Sequence, residues 1–429
     1  MNEFAGIPYS TEQFNEQGHC IQQPAVPLDA SEVIIVSHGW NNDAAEAEAL
    51  YRELFGNFAS VHVGGTAGIA IVGVIWPSKK FDFSDEAPAA PRGAVGAAST
   101  GGASASAQQS AIQRSFAEFE RVFRESDKRD ELEPLRALLP RIDQPAAQTE
   151  FVKRLRDMVK AAEIKSDLDG SSFFFGANDP RDVFVKAQQA SSDVDDRGLN
   201  DTSGVVAGAG LGDVFSGVAN AVGSLLNITT YYEMKMRAGT VGEIGLAPLI
   251  DQIAERESVR HIHLIGHSFG GRLVTAAAMK SSTPKLHSLC LLQAAFSHNG
   301  FSTRGYFRRV IEGKRLSGPI IVTYTEHDKA VGKAYAIASR ISGDSAAGLG
   351  DADDKYGGLG RNGAVNMAPT EVSHVTRLLL KEGQAYALEN QIIHNLESSA
   401  FIGDHSDVKG KAVAWAISRA IATGNGGTH

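Results

Sequence analysis

Cysteine is scarce in this chain: Cys20 and Cys290 are the only two in 429 residues, and they lie far apart. They offer neither a disulfide framework nor a metal-type spacing. Cys290, inside Leu289-Cys-Leu-Leu292, reads as a buried thiol. A positive charge excess is also missing. Lys and Arg number 41 against 50 Asp and Glu, a formal −9, so no nucleic-acid partner is expected. The opening MNEFAGIPYSTEQFNEQG has no basic or apolar leader region, and a cytoplasmic protein is the expectation. Residues 205–230 are apolar and long enough to raise the question of a membrane span. Five glycines and scattered Ser, Asn and Thr interrupt them, so no transmembrane segment is expected. No internal repeat is apparent.

What remains is a chain long enough for a large core, as two domains or one decorated domain. Val33-Ile-Ile-Val36 and Ile69 to Trp76 read as apolar strands flanking a helix from Asp43 to Phe58. Further strands are expected at His287 to Leu292, Pro319 to Tyr324 and Gln391 to Leu396, and helices at Leu246 to Glu257 and about Val408 to Ile421. Strand–helix alternation with continuously apolar strands predicts an α/β fold: a mostly parallel central sheet flanked by helices. The pattern is interrupted between about 81 and 230. Ala87 to Ser110 reads as a flexible Ala/Gly/Ser loop, and 111–165 as two charged helical segments. The expected organisation is therefore residues 1–80 and 231–429 as two parts of one core, with 81–230 inserted as a helical cap. The Gly/Asp-rich stretch Gly343 to Gly363 lacks the EF-hand pattern and reads as a solvated loop.

The chemistry concentrates at His261-Ile-His-Leu-Ile-Gly-His-Ser-Phe-Gly-Gly271. An apolar strand runs into G-H-S-F-G, and a small-residue helix follows from Arg272 to Met279. This is the pattern of a nucleophile elbow with Ser268 at its tip. Gly266 and Gly270 are needed because side chains there would strike the neighbouring strand and helix. The helix N-terminus behind Ser268 presents N–H groups to a developing oxyanion.

A serine needs a base, and the base an orienting acid, in the chain order serine, acid, histidine. The strand ending at Tyr324 leads into Thr325-Glu-His-Asp-Lys-Ala330, which offers Asp328, with Glu326 in reserve. Histidines beyond it are His374, His394, His405 and His429. His374 precedes a helical-looking segment, Val375 to Leu380, and His394 lies within the last strand. His405, in the loop Phe401 to Val408, is the preferred base, and Asp404 and Asp407 beside it are expected to cap the last helix. The oxyanion hole is expected from the N–H of Phe269 and, after the first core strand, from Ser37-His-Gly-Trp-Asn41. There Gly39 permits close approach, Trp40 is the donor and Asn41 the next in line. His38 and His267 are read as supporting these loops. His298, with Asn299, is placed at the substrate pocket.

With HGW at 38–40, GHSFGG at 266–271, TEHD at 325–328 and GDHSD at 403–407, the chain resembles the α/β-hydrolase superfamily. It is most similar to bacterial lipase/esterase-like hydrolases with an HGWNN-type loop and a W-P-S after the next strand, here Trp76-Pro-Ser78. The resemblance spans roughly 31–80 and 230–422 and omits the insertion. It implies acyl transfer to water with no metal and no organic cofactor, on a small-molecule or lipid-like ester. Thioesterase, amidase, acyltransferase and non-catalytic partner-binding readings stay open on the same scaffold. In the insertion, Val214, Phe215, Val218, Val222 and Leu225 are expected to form an apolar lid at the acyl pocket, with Gly208, Gly210, Gly212 and Gly217 as hinges; a packed hairpin is the competing reading.

Overall fold

The computed structural model describes residues 2–21, 30–78, 105–124, 126–159, 174, 176, 178–328, 330–331 and 357–423, apart from 196–216. Its described residues form one eight-stranded sheet: β1 (Asn2–Phe4), β2 (Ile7–Gln13), β3 (Glu32–Ser37), β4 (Ile69–Ile75), β5 (His261–His267), β6 (Leu286–Leu292), β7 (Ile320–Tyr324) and β8 (Ile393–Glu397). Their spatial order is β1-β2-β4-β3-β5-β6-β7-β8. Only β1 and β2 run antiparallel; every other neighbouring pair is parallel.

Parallel strands need helical crossovers, and those helices cover both faces. On one face Ile34, Val36, Ile71, Ile265, Leu292 and Ile321 pack with the helices Ala44–Val61 and Lys411–Ala422. Val33 and Ile35, alternating to the other face, are equally buried. The helix Phe269–Lys280 packs against β3, β5 and β6, alongside the π-helical turn Val241–Leu246 and the helix Ala247–Ala254. The helix at Ala44 starts where Asp43 accepts from the Glu46 N–H at 2.8 Å and Glu46 returns the bond to the Asp43 N–H at 2.9 Å, a reciprocal cap.

From β3 the chain moves to β4 on one side of the sheet, and β5 takes the opposite side of β3. The order of connection reverses there. The loop after β3 and the turn after β5 leave the carboxyl edge side by side at this switch point, the place where ligands of open α/β sheets bind.

The chain divides into two compact units. One draws on the described residues of Met1–Ser78 and Tyr231–His429, and holds the sheet. The other draws on those of Lys79–Ala161 and Phe174–Thr230 and is helical among its described residues, with Ala105–Phe123, Pro145–Met158 and Pro180–Asp195 its longest complete helices. Ile112, Phe116, Phe119 and Phe123 recur at helical spacing and are buried, as are Phe151, Leu155 and Phe184. Residues 105–110 are helix, not the flexible loop expected of them. Residues 87–104 lie outside the described residues, as do Gly208, Gly210, Gly212, Val214 and Phe215 of the expected lid. Val222 and Leu225 are buried within the helix Gly217–Thr240, of which Gly217 is the first residue. No helix among the described residues is long and apolar enough to cross a membrane.

Candidate active site

β5 ends at His267, and the helix Phe269–Lys280 begins one residue after Ser268. That single-residue turn forces Ser268 to φ 55° and ψ −124°, a left-handed conformation that costs on the order of 1–3 kcal/mol for a residue with a Cβ. Three backbone bonds hold it: Ser268 N–H donates to Leu292 O at 3.1 Å, and its carbonyl accepts from Gly271 and Ala295, each at 3.0 Å. A Cβ on Gly266 would lie 2.4 Å from Gly270 O, and one on Gly270 would lie 2.3 Å from Ser37 O. Only glycine fits at either place.

Ser268 Oγ lies 2.8 Å from His405 Nε2, and His405 Nδ1 lies 2.9 Å from Asp328 Oδ2. All three are buried, with exposures of 3%, 6% and 0%. A carboxylate can only accept here, so Nδ1 carries the imidazole proton, and Nε2 is left to accept from the serine hydroxyl. Asp328 sits beyond β7, where its Oδ1 accepts from the Val331 N–H at 2.9 Å. Burial acts most strongly on His405 and opposes its charge. The Asp328 carboxylate, through charge and hydrogen bond, and Asp404 outweigh it, so the His405 pKa lies above the ordinary histidine value.

The His405 loop is anchored by Ile402 and Val408, both fully buried. Asp404 accepts from the Ser406 N–H at 2.7 Å and Asp407 from the Gly403 N–H at 3.1 Å. The two aspartates therefore shape this loop, and neither caps the last helix, whose N-cap is Gly410. The other acid and bases lie elsewhere. Glu326 is exposed. His374 is exposed and bonded to Arg377, and Val375 to Leu380, expected as a helix, is irregular. The chain here pairs with β8 through isolated parallel bridges at Val372 and Leu378. His394 is buried in β8, with Nε2 on the Glu389 backbone.

The loop after β3 is braced from behind. Tyr51 Oη accepts from the His38 N–H at 2.8 Å and donates to Val74 O at 2.7 Å. Trp76 Nε1 donates to His38 O at 3.0 Å, and the His38 and Trp76 rings stack at 5.7 Å. His38 Nδ1 donates to Gly39 O at 2.8 Å. Burial pushes the His38 pKa down to about 4, so the ring is neutral. Ser78 Oγ donates to Asn42 O at 2.8 Å, and Ser78 O accepts from the Asn41 N–H at 3.0 Å. Asn41, at φ 66°, thus spends its N–H on the turn and supplies no oxyanion donor. The W-P-S sequence has a structural use: Trp76 and Ser78 hold the loop that carries Gly39 and Trp40 beside Ser268. The Trp40 and Phe269 rings lie 6.1 Å apart, and the Tyr231 ring 5.2 Å from Phe269.

No family model matches this chain, and no curated protein or solved structure does. The site is accordingly read from its own geometry. A hydroxyl, a neutral imidazole and a buried carboxylate in hydrogen-bonded series can move a proton off the hydroxyl while it attacks an electrophile. Phe269 opens its helix, so its N–H lies among those without an intrahelical acceptor.

His298 was expected at a pocket, but it is fully buried. Its Nδ1 lies 3.0 Å from Asn362 Nδ2, and its N–H donates to Gly357 O. It is tied into the neighbouring chain at residues 357–362. Asn299 is likewise engaged, accepting from Asn366 Nδ2 at 2.7 Å. Val218, a residue of the other unit, is half-buried near the start of the helix Gly217–Thr240. The expected solvated loop is also corrected at its end. Residues 357–363 are described and largely buried, while 343–356, with the DADD run, lie outside the described residues. A Cβ on Gly360 would lie 2.9 Å from Asp328 Oδ2, and Gly360 O accepts from the Thr325 N–H and from Gln293 Nε2. Gly360 thus packs against Asp328 and is itself held by Gln293, and no local sequence signal marks either. Arg237 also went unnoticed. It is buried, with Nη2 3.0 Å from Glu16 and 3.2 Å from Glu233 and Nη1 donating to Pro77 O at 2.9 Å, which ties down the Trp76–Ser78 segment.

Proposed function

We propose that this chain is a serine hydrolase of the α/β-hydrolase type that cleaves carboxylic esters through an acyl-enzyme. The observation that carries the reading is the unbroken hydrogen-bonded series Ser268–His405–Asp328, with the serine strained at a strand-to-helix turn.

In this reading Ser268 Oγ attacks the ester carbonyl as His405 Nε2 takes its proton. Asp328 keeps the proton on Nδ1 and stabilises the imidazolium. The oxyanion is met by the N–H groups of Phe269 and Trp40. Collapse expels the alcohol, which leaves with the proton from His405. Water then attacks the acyl-enzyme with His405 as base, and release of the acid restores Ser268. Trp40, Phe269 and Tyr231 beside the serine favour an apolar acyl or alcohol group. The proposal also assigns the insertion 81–230 a cap role in selecting substrate.

The test is turnover of a short p-nitrophenyl ester together with fluorophosphonate labelling and peptide mapping. Label on Ser268, and a loss on the order of 10⁴–10⁶ in kcat for Ser268→Ala, are expected. Near-normal turnover by Ser268→Ala would overturn the proposal, and no label on wild type would leave a non-catalytic scaffold.

A further inference from the structure

The residue preceding the nucleophile touches three parts of the site. His267 is 6% exposed and occupies the last position of β5, paired with Leu292 in β6, so its backbone is fixed by the sheet. Its Nε2 lies 2.9 Å from the backbone carbonyl of His405, and the two rings are 5.0 Å apart. Its Nδ1 lies 3.1 Å from where a Cβ on Gly39 would be. A carbonyl oxygen only accepts, so Nε2–H is the donor and Nδ1 bears a lone pair.

We infer that His267 is a positioning residue: its Nε2–H fixes the main chain of His405 and so aims the His405 imidazole between Ser268 and Asp328. The inference rests on the hydrolase reading for its kinetic consequence, though not for the geometry itself. Ser268 is set by the elbow, but His405 lies 137 residues away in a loop outside the sheet. One dipeptide, His267-Ser268, therefore supplies both the serine and the donor that holds the base at the right place. Ile402 and Val408 anchor that loop on either side, but neither bonds to His405 itself.

A packing role alone fits poorly. Nδ1 is buried with no hydrogen-bond partner among the described residues, which costs free energy that a phenyl ring would not incur. Burial, followed by the charge on His405, also pushes the His267 pKa down to about 3, so the ring does not compete with His405 for the proton.

Three substitutions separate the readings. Gln places an amide N–H near the Nε2 position, Asn places one near Nδ1, and Phe keeps the ring without any donor. His267→Asn and His267→Phe are expected to lose roughly 10²-fold in kcat with KM unchanged, the scale of a 1 Å misplacement. His267→Gln should recover most of that loss, and the remote His394→Gln should behave as wild type. Independent of turnover, the low-field NMR proton of His405 Nδ1–H should persist in His267→Gln and broaden or shift in His267→Asn. Equal activity and equal spectra in the Asn, Phe and Gln variants would overturn the inference, as would losses that merely follow the fraction unfolded. If wild type neither turns over nor labels, the hydrolase reading fails, and the NMR comparison still decides whether His267 positions His405.

Discussion

Gly39 and Ser268 approach so closely that a Cβ on the glycine would lie 2.7 Å from the serine Cβ. The loop after β3 and the turn after β5 are thus in contact at Ser268, and the contact exists only because residue 39 has no side chain. Gly39→Ala should push the Trp40 N–H and Ser268 apart. A loss on the order of 10²-fold in kcat is expected, with near-native circular dichroism. Wild-type kcat in Gly39→Ala would remove this loop from the oxyanion hole.

Asp328 accepts a single 2.9 Å bond from His405 Nδ1, the bond that would orient the proposed base. Asp328→Asn should keep the fold but favour the wrong imidazole tautomer, with a loss of about 10⁴ in kcat. Glu326→Gln, at an exposed position, should be close to wild type. Kinetics of the two purified variants decide the matter.

The pH profile follows from the raised His405 pKa. The base must be neutral to accept the serine proton, so kcat/KM should rise with pH through an apparent pKa above the ordinary histidine value of about 6.5. Removing Asp328 takes away the charge that lifts it, and the acid limb should then move downward. An acid limb below the ordinary histidine value in wild type would contradict the assignment of His405.

Stability should also fall toward acid, but through pKa shifts of the opposite sign. Burial pushes His38 and His287 down to about 4 and His267 to about 3, and lowers His263 as well. The unfolded chain takes up those protons near pH 6.5, the native chain only well below it. The unfolded state therefore binds more protons in this window, and stability falls as pH falls. His405, with its raised pKa, works the other way but is a single group. Glu32 is buried, yet bonds and charge from His263 and His261 lower its pKa; its contribution is lost at still lower pH. Thermal melts should drop steadily from pH 7 to pH 4.5, and a flat profile would refute this account.

Trp76 supplies a 3.0 Å bond to a buried carbonyl at His38. Trp76→Phe leaves that carbonyl without its indole donor, at a cost of roughly 1–3 kcal/mol. Both the melting temperature and kcat should fall, since the carbonyl belongs to the residue before Gly39. A drop in melting temperature with unchanged kcat would make the brace purely structural.

Much of the core was legible locally. Val33–Val36 and Ile69–Trp76 announce themselves because both faces of a parallel strand are buried, so apolar residues run without alternation. By contrast β2, Ile-Pro-Tyr-Ser-Thr-Glu-Gln, is half polar, and only its place beside β4 makes it a strand. Residues 375–380 have apolar spacing that suits a helix, but the backbone pairs along β8. Gly360, Gln293 and Arg237 carried no motif at all. Their importance comes from what the chain folds against them.

The sequence by itself determined the turn at Ser268. Two glycines and a small-residue helix dictate that conformation through local sterics, whatever else the chain does. It ranked Asp328 over Glu326 and His405 over His374 and His394 by their places in loops past strand ends, but it held no contact between them and Ser268. His405 is separated from Ser268 by 137 residues and from Asp328 by 77. Bonds across such distances depend on the order of strands in the sheet and on how loops leave its carboxyl edge. Those are set by burial of the whole core, a quantity no local stretch contains, and so only the tertiary structure brings the preferred carboxylate and imidazole into one hydrogen-bonded series with the serine.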